Sequence, residues 1–253
     1  MTAATLSHPD RLPRRMAVVV FLAFALAYFF SALVRAITAT LSPTLTTEFN
    51  LNAQDLGLLA GGYFLGFSLT QLPLGRWLDK HGPKKVVLAF LSVAVLGCLA
   101  FSWADSFHGL LAARVLCGMG VSACLMAPLT GYRRWLDAST QLRTNSWMLM
   151  TGSLGMLSST LPVQWLMPIT GWRAIFAGLA VLVVVAMFLI YKVVPVWEKA
   201  QAPSTQVVQE ESGYGPVWRS AYFWRMAPVG FFCYAGMLAV QTLWAGPWMT
   251  VVG

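Results

Sequence analysis

Charged side chains are scarce in this sequence. Asp, Glu, Lys and Arg make up only 10% of the residues, whereas 58% are hydrophobic. About a quarter of the residues in a typical soluble domain are charged, so the composition excludes an ordinary soluble domain and indicates a membrane protein. The net charge is +8, but the basic residues form short clusters between apolar runs. That distribution argues against a nucleic-acid-binding protein, which needs a continuous hydrated basic face.

The side chains that build catalytic and metal sites are also few. The four cysteines and three histidines show no Cys-x-x-Cys spacing and no mixed cluster typical of a metal site. No Ser-His-Asp or paired-carboxylate arrangement is present, and none of the nine acidic residues lies in the middle of an apolar run. We therefore expect no enzyme activity, no cofactor and no metal site, and no intramembrane carboxylate that would relay protons.

Seven long apolar stretches dominate what is present. A bilayer core about 30 Å thick requires roughly 20 apolar residues per helix, and each stretch meets or approaches that length. The first follows a basic tail as a signal peptide does, but it is too long for one and more spans come after it. The predicted spans are residues 16–39, 56–77, 86–103, 107–131, 145–167, 174–194 and 226–250.

The basic residues predict the orientation of these spans. Of the 17 Lys and Arg residues, Arg35 and Arg114 lie inside spans and Arg173 lies in the loop after the fifth span. All the others fall in the amino-terminal tail or after the second, fourth and sixth spans. The positive-inside rule places these segments in the cytoplasm. The amino terminus is then cytoplasmic, and the short loops favour a multi-pass protein of a bacterial cytoplasmic (inner) membrane.

One long polar segment divides the chain. Residues 195–216 contain Pro, Gly, Ser and charges of both signs, which is typical of a linker. We expect a cytoplasmic tail over 1–15, a six-helix transmembrane bundle over 16–194, a cytoplasmic linker over 195–221 and a seventh transmembrane helix over 222–253. Within the second span, glycines four residues apart (Gly57 and Gly61, Gly62 and Gly66) predict close helix packing.

A dense charged turn separates the second and third spans. It reads "GRWLDKHGPKK" over residues 75–85. A generic cytoplasmic loop would need only the lysines, but the spacing of glycine, acid and base here resembles the signature loop of the major facilitator superfamily of secondary transporters. Arg114, Gly118 and Gly120 in the fourth span resemble the arginine-glycine pattern of the same family. The residues that match the signature loop, and that we predict to form a gating loop, are Gly75, Asp79, Lys80, Gly82, Lys84 and Lys85.

The resemblance implies an all-α integral membrane protein. It predicts a six-helix bundle built of 3+3 inverted repeats, followed by a seventh helix that begins a second, incomplete bundle. The family's activity is secondary active transport by alternating access, so a small-molecule substrate and the lipid bilayer are the expected partners. A coupling proton or ion is left open, and the second half of the transporter is missing from this chain.

Two arginines suggest what the transporter would move. A charged residue inside a span normally faces the bundle interior or an aqueous cavity, and the resemblance implies that the first and fourth helices line that cavity. Arg35 and Arg114 are therefore candidate contacts for a small organic anion, held through bidentate hydrogen bonds. The alternatives are that Arg35 reaches the outer interface and that Arg114 belongs to a structural network. Further cavity candidates are Tyr28, Gln71, Asn145 and Gln164.

Other classes of protein fit the sequence less well. A seven-helix receptor would place its amino terminus outside, and the seventh span has no lysine for a retinal Schiff base. An integral-membrane enzyme would require clustered catalytic side chains. Two alternatives to a working transporter stay open. In these alternatives the chain is either a truncated, non-transporting product of a transporter gene or a half-transporter that dimerises.

Overall fold

The computed structural model describes residues 12–196 and 215–240, and all regular structure in these ranges is helical. These ranges belong to two compact units that divide near residue 197, and each is considered separately. Most of the predicted tail 1–15, most of the linker 195–221 and the end of the seventh span lie outside the described residues. The helices are α1 (Arg14–Phe49), α2 (Ala53–Ser102), α3 (Phe107–Val121), α4 (Ala123–Trp135), α5 (Ala138–Ser158), α6 (Leu161–Val193), α7 (Gly215–Arg219) and α8 (Ala221–Ala239).

The first helix is longer than the sequence predicted. Helix α1 has 36 residues and continues ten residues beyond the predicted end of the first span at residue 39. Pro43 lies inside it and has no N–H to donate to the carbonyl of Ala39. The Ser42 hydroxyl donates to that carbonyl instead, at 2.8 Å. The helix therefore passes through the proline and ends at Asn50, which adopts the left-handed conformation (φ 51°).

Helix α2 contains both the second and the third predicted spans. Its 50 residues correspond to about 75 Å at 1.5 Å per residue, more than twice the bilayer core. Gly82 has φ 76° and ψ 165°, a conformation that L-residues with a Cβ avoid, and the chain turns back there. Tyr63 on one arm and Ala94 on the other both lie against α3, so α2 is a hairpin of two helical arms.

Helix α6 is a second hairpin of the same kind. Gly171 has φ 74° and ψ 161°, nearly the same conformation as Gly82. Before the turn, Met167 accepts a hydrogen bond from Thr44 of α1. After the turn, the chain runs antiparallel to the second arm of α2, where the rings of Phe101 and Phe176 stack at 4.1 Å. The fifth predicted span is thus α5 plus the first arm of α6, and the sixth is the second arm.

Glycines hold the helices of the first unit close together. An added Cβ at Gly66 would overlap the backbone of Val115, and one at Gly118 would overlap the backbone of Tyr63. Gly155 is in the same close contact with Phe29 of α1. The packing prediction is confirmed for Gly62 and Gly66, whereas a Cβ added at Gly57 or Gly61 would meet nothing within 4 Å among the described residues.

Four helical segments within the described residues are long and apolar enough to cross a membrane. They are Arg14–Phe49, Ala53–Ser102, Phe107–Trp135 and Leu161–Val193. The third joins α3 and α4, which are separated only by Ser122. In the second unit, α8 carries large apolar side chains exposed around its circumference, including Phe231, Phe232 and Tyr234.

Candidate functional site

Arg114 is the most buried charged residue of the described chain. Its side chain lies on α3 and is only 1% exposed. Its Nη1 donates to the carbonyl of Val34 at 2.9 Å, and its Nη2 donates to the carbonyl of Arg35 at 3.4 Å. The guanidinium also lies 4.8 Å from the ring centroid of Tyr63, a cation–π distance. Arg114 therefore joins α3 to the backbone of α1 within the membrane-spanning part of the bundle.

The carbonyl of Arg35 is part of this contact, and the Arg35 side chain is half-buried. Its Nη2 approaches the sulfur of Met156 on α5 at 3.6 Å, a weak acceptor, and its buried Nε has no hydrogen-bond partner. The structure thus brings Arg35 and Arg114 together through the Arg35 carbonyl. Arg114 donates two hydrogen bonds to backbone carbonyls, whereas Arg35 donates none to an oxygen among the described residues.

Several other buried polar atoms lack partners within the described residues. Buried polar groups are hydrogen-bonded in about nine cases out of ten, so a group of exceptions is informative. Three of the predicted candidates are among them, through Gln71 Nε2, Asn145 Oδ1 and Arg114 Nε. The sequence analysis missed two more, Thr38 Oγ1 and Tyr132 Oη. In the sequence, the only sign of these two residues is a hydroxyl group within an otherwise apolar helix.

The remaining cavity candidates lie in different surroundings. The Tyr28 side chain is buried, and its ring packs where α1 meets Gly152 of α5. Gln164 is exposed on the first arm of α6. No contact joins Gln164 to the arginines, so its assignment to the cavity rests on the sequence alone.

The Gly82 turn, residues 79–85, presents most of its charges to the surroundings. The side chains of Asp79, Lys80 and Lys85 are exposed, and that of Lys84 is half-buried. The ammonium of Lys84 lies 5.3 Å from the ring centroid of Tyr191 near the end of α6. Within the described chain, none of the three lysines forms an ion pair with an acid. Gly75 lies two turns earlier on the same arm of α2.

The Gly171 turn, residues 170–173, has the opposite character. The Arg173 guanidinium pairs with the Glu48 carboxylate, and its Nη2 lies 3.3 Å from Asp105 Oδ1. The indole N–H of Trp172 donates to Glu48 at 2.6 Å, and the guanidinium lies 4.2 Å from the Trp172 ring centroid. The Ser102 hydroxyl donates to the Arg173 carbonyl at 2.8 Å. Arg173, the exception to the charge pattern of the loops, therefore joins the ends of α1 and α2 to the turn within α6.

These features together define a class of protein. The chain is a bundle of long apolar helices with two glycine hairpins, a buried arginine between α1 and α3, and a charged turn at one end. That arrangement is typical of a polytopic membrane transporter rather than of a soluble enzyme.

Comparison with known proteins identifies the family. The model of the Major Facilitator Superfamily matches residues 24–253. The chain belongs to the major facilitator superfamily, as the charged turn predicted, and its curated relatives are transporters.

Three relatives illustrate the similarity. The hexuronate transporter of Escherichia coli (strain K12) is 26% identical over 163 residues, or 63% of this chain. The niacin transporter NiaP of Acinetobacter baylyi is 26% identical over 170 residues, or 67% of this chain. The 4-hydroxybenzoate transporter PcaK of Pseudomonas aeruginosa is 26% identical over 173 residues, or 68% of this chain. The matched region covers 38% of the length of each of these relatives.

Proposed function

We propose that this chain is the amino-terminal part of a secondary active transporter that moves a small organic anion by alternating access. The observation that carries the proposal is the pair of arginines inside the helix bundle, with Arg35 left short of oxygen partners. A guanidinium in a low-dielectric cavity favours a carboxylate or a similar oxyanion. Hexuronate and 4-hydroxybenzoate, the solutes for which two of the relatives are named, are carboxylates.

The two arginines have different roles in this proposal. Arg114 positions α1, because two of its donors are occupied by the carbonyls of Val34 and Arg35. Arg35 contacts the substrate, because its side chain is half-buried and its one hydrogen bond is to sulfur. Gln71 and Asn145 offer further hydrogen bonds to the polar part of the solute.

The first six spans form two inverted repeats of three in this proposal. The Gly82 and Gly171 turns support it, since each ends the second span of a repeat with nearly the same φ and ψ. The close approach of Gly66 to Val115 of α3 has a counterpart in that of Gly155 to Phe29 of α1. We place the bundle at residues 16–194, the linker at 195–221 and a seventh helix at 222–253, with the amino terminus in the cytoplasm. The Gly82 turn then faces the cytoplasm, where it contacts the second half of the transporter.

A binding experiment tests the substrate class. The purified chain in detergent is titrated with glucuronate, 4-hydroxybenzoate and nicotinate, each beside a neutral analogue: glucose, 4-hydroxybenzyl alcohol and nicotinamide. We expect at least one acid to raise the thermal-unfolding midpoint while its neutral analogue does not. Arg35→Gln should abolish that shift and Arg35→Lys should retain part of it. Equal shifts for an acid and its analogue, or a full shift in Arg35→Gln, would contradict an anion site.

Transport is tested separately from binding. The chain is reconstituted in proteoliposomes and the uptake of the radiolabelled acid that binds is measured. Uptake that saturates and is lost in Arg35→Gln supports a working transporter. Binding without uptake would favour the alternative, a truncated product that does not transport.

A further inference from the structure

A narrow groove lies between the two arms of α2, beside the Gly82 turn. Its volume is about 500 Å³. The rings of Trp77 and Phe90, one from each arm, meet edge to face at 5.7 Å and form part of its walls. Ala89 and Val93 continue the wall on the second arm, and Met119 of α3 lies at the far end. The groove belongs neither to the arginine pair nor to the Gly171 turn.

The groove is polar at one end only. Lys85 and His81 lie at the end beside the turn, and both side chains are exposed. At the opposite end, the Thr70 hydroxyl is already bonded to the Phe67 carbonyl and to Ser122, each at 2.8 Å. The deep end therefore offers no free hydrogen-bonding group from Thr70, and the remaining walls are apolar side chains.

The dimensions of the groove match one leaflet of a bilayer. From Lys85 to Val93 the second arm rises about 12 Å at 1.5 Å per residue, and half of the hydrocarbon core is about 15 Å. An extended acyl chain of one leaflet has a comparable length, and its apolar surface suits the apolar walls of the groove.

We propose that this groove binds one acyl chain of an anionic phospholipid, with the lipid phosphate held by Lys85 and His81. Basic pockets between transmembrane helices on the cytoplasmic side recognise acidic lipid headgroups. The charge of the Gly82 turn is complementary to such a headgroup, because within the described residues Lys85 has no acidic partner. The inference rests on the membrane placement of α2 and not on the identity of the transported solute, so a chain that transports nothing still tests it.

Native mass spectrometry of the purified full chain provides the headgroup test. Dioleoylphosphatidylglycerol is titrated beside dioleoylphosphatidylcholine, which has the same acyl chains and no net charge. We expect the anionic lipid to bind at least about fivefold more tightly, and Lys85→Gln to weaken it about fivefold without affecting phosphatidylcholine. Lys80→Gln is the matched control, since it removes the same charge from the same turn outside the groove, and it should change binding less than about twofold. Equal affinities for the two lipids would overturn the proposal.

A second pair of variants tests the groove itself. Ala89→Trp places a large ring inside the groove and should weaken binding of the anionic lipid more than about tenfold. Leu96→Trp places the same ring on an exposed position of the same arm outside the groove and should leave binding unchanged. Retained lipid affinity in Ala89→Trp would show that the basic turn attracts lipid without the groove, and would overturn the proposed site. Displacement of the lipid by inorganic phosphate alone would also overturn it.

Discussion

The Gly82 and Gly171 turns have nearly the same backbone and opposite electrostatic surroundings. Both glycines have φ near 75° and ψ near 163°, and each reverses a long helix. The Gly171 turn is neutralised by its own bundle, since Arg173 binds Glu48 and Asp105. The Gly82 turn carries exposed Asp79 and Lys80 without such partners in the described residues. The Gly171 turn thus joins helices within the bundle, whereas the charged side chains of the Gly82 turn are exposed and available for a contact outside it.

An acid at the end of a neighbouring helix accounts for part of this difference. Glu48 lies in the last turn of α1 and reaches Arg173. Asp137 follows α4 at the other end of the bundle, but it is the N-cap of α5 and accepts hydrogen bonds from Ser139 and from the Thr140 N–H. Within the described residues, Asp137 forms no ion pair with the lysines of the Gly82 turn.

The largest expected effect tests the positive-φ backbone conformation that the two turns have in common. Gly171→Ala should lower the free energy of unfolding by about 2 kcal/mol, because a residue with a Cβ is strained at φ 74° and ψ 161°. The position is sterically open, so the loss would come from the backbone alone. Thermal unfolding in detergent should show a fall of about 6 °C. Gly178→Ala, in the helical part of α6 and also open, is the matched control and should not lower the midpoint.

Gly82→Ala extends this test to the other turn. It should be at least as destabilising as Gly171→Ala, because Gly82 has the same conformation and is buried. A harmless Gly82→Ala would show that the two turns are not equivalent even in their backbones.

The second effect concerns the contribution of charged side chains to the stability of the bundle. Arg173→Gln should lower the free energy of unfolding by about 1–2 kcal/mol, since it removes several hydrogen bonds to charged groups from a partly exposed network. Lys80→Gln in the Gly82 turn should change it by less than about 0.5 kcal/mol. Thermal unfolding of the two variants side by side provides the measurement. Equal losses of stability in the two variants would contradict the conclusion that charged contacts stabilise the bundle at the Gly171 turn and not at the Gly82 turn.

The third effect concerns transport instead of stability, and here the Gly82 turn is expected to be the more sensitive of the two. In a transporter completed by its second half, Asp79→Asn should lower the initial rate of uptake in proteoliposomes about tenfold, or about 1.4 kcal/mol, while leaving the unfolding midpoint unchanged. This follows from the proposal that the Gly82 turn contacts the second half of the transporter. Asp105→Asn is the control at the other turn, because that carboxylate is largely exposed and bound only at 3.3 Å. An Asp79→Asn variant that transports normally would contradict a gating role.

The sequence predicted the parts of this fold that depend on local pattern. Apolar runs indicated an all-helical membrane protein, although the fifth predicted span is broken between α5 and α6. The spacing of glycine, acid and base around Gly82 was enough to indicate the family. The sequence could not predict that Arg173 would meet Glu48, because those residues are 125 positions apart and pair only after α1 and α6 have packed.

The candidate site was predictable to a similar extent. A charged residue in a span is conspicuous, so the sequence singled out Arg35 and Arg114 as candidates. The different roles proposed for them could not be predicted, since they depend on which helix carbonyls lie within reach of Arg114. Tyr132 and Thr38 were missed because hydroxyls are common in membrane helices, and only burial without a partner distinguishes these two.

The smallest expected effect concerns Asp137, the acid that does not pair with the Gly82 turn. The Ser139 hydroxyl and the Thr140 N–H hold the pKa of Asp137 below its ordinary range. A carboxylate with a lowered folded pKa stabilises the protein above its unfolded pKa, near 4, and this contribution is lost as the pH falls through the folded pKa. The unfolding midpoint of the wild type should therefore fall slightly more between pH 5 and pH 3 than that of Asp137→Asn. The asparagine variant keeps an N-cap oxygen and has no charge to titrate. If the two curves were parallel, the cap would not hold the Asp137 carboxylate in solution, which would contradict its assignment as the N-cap of α5.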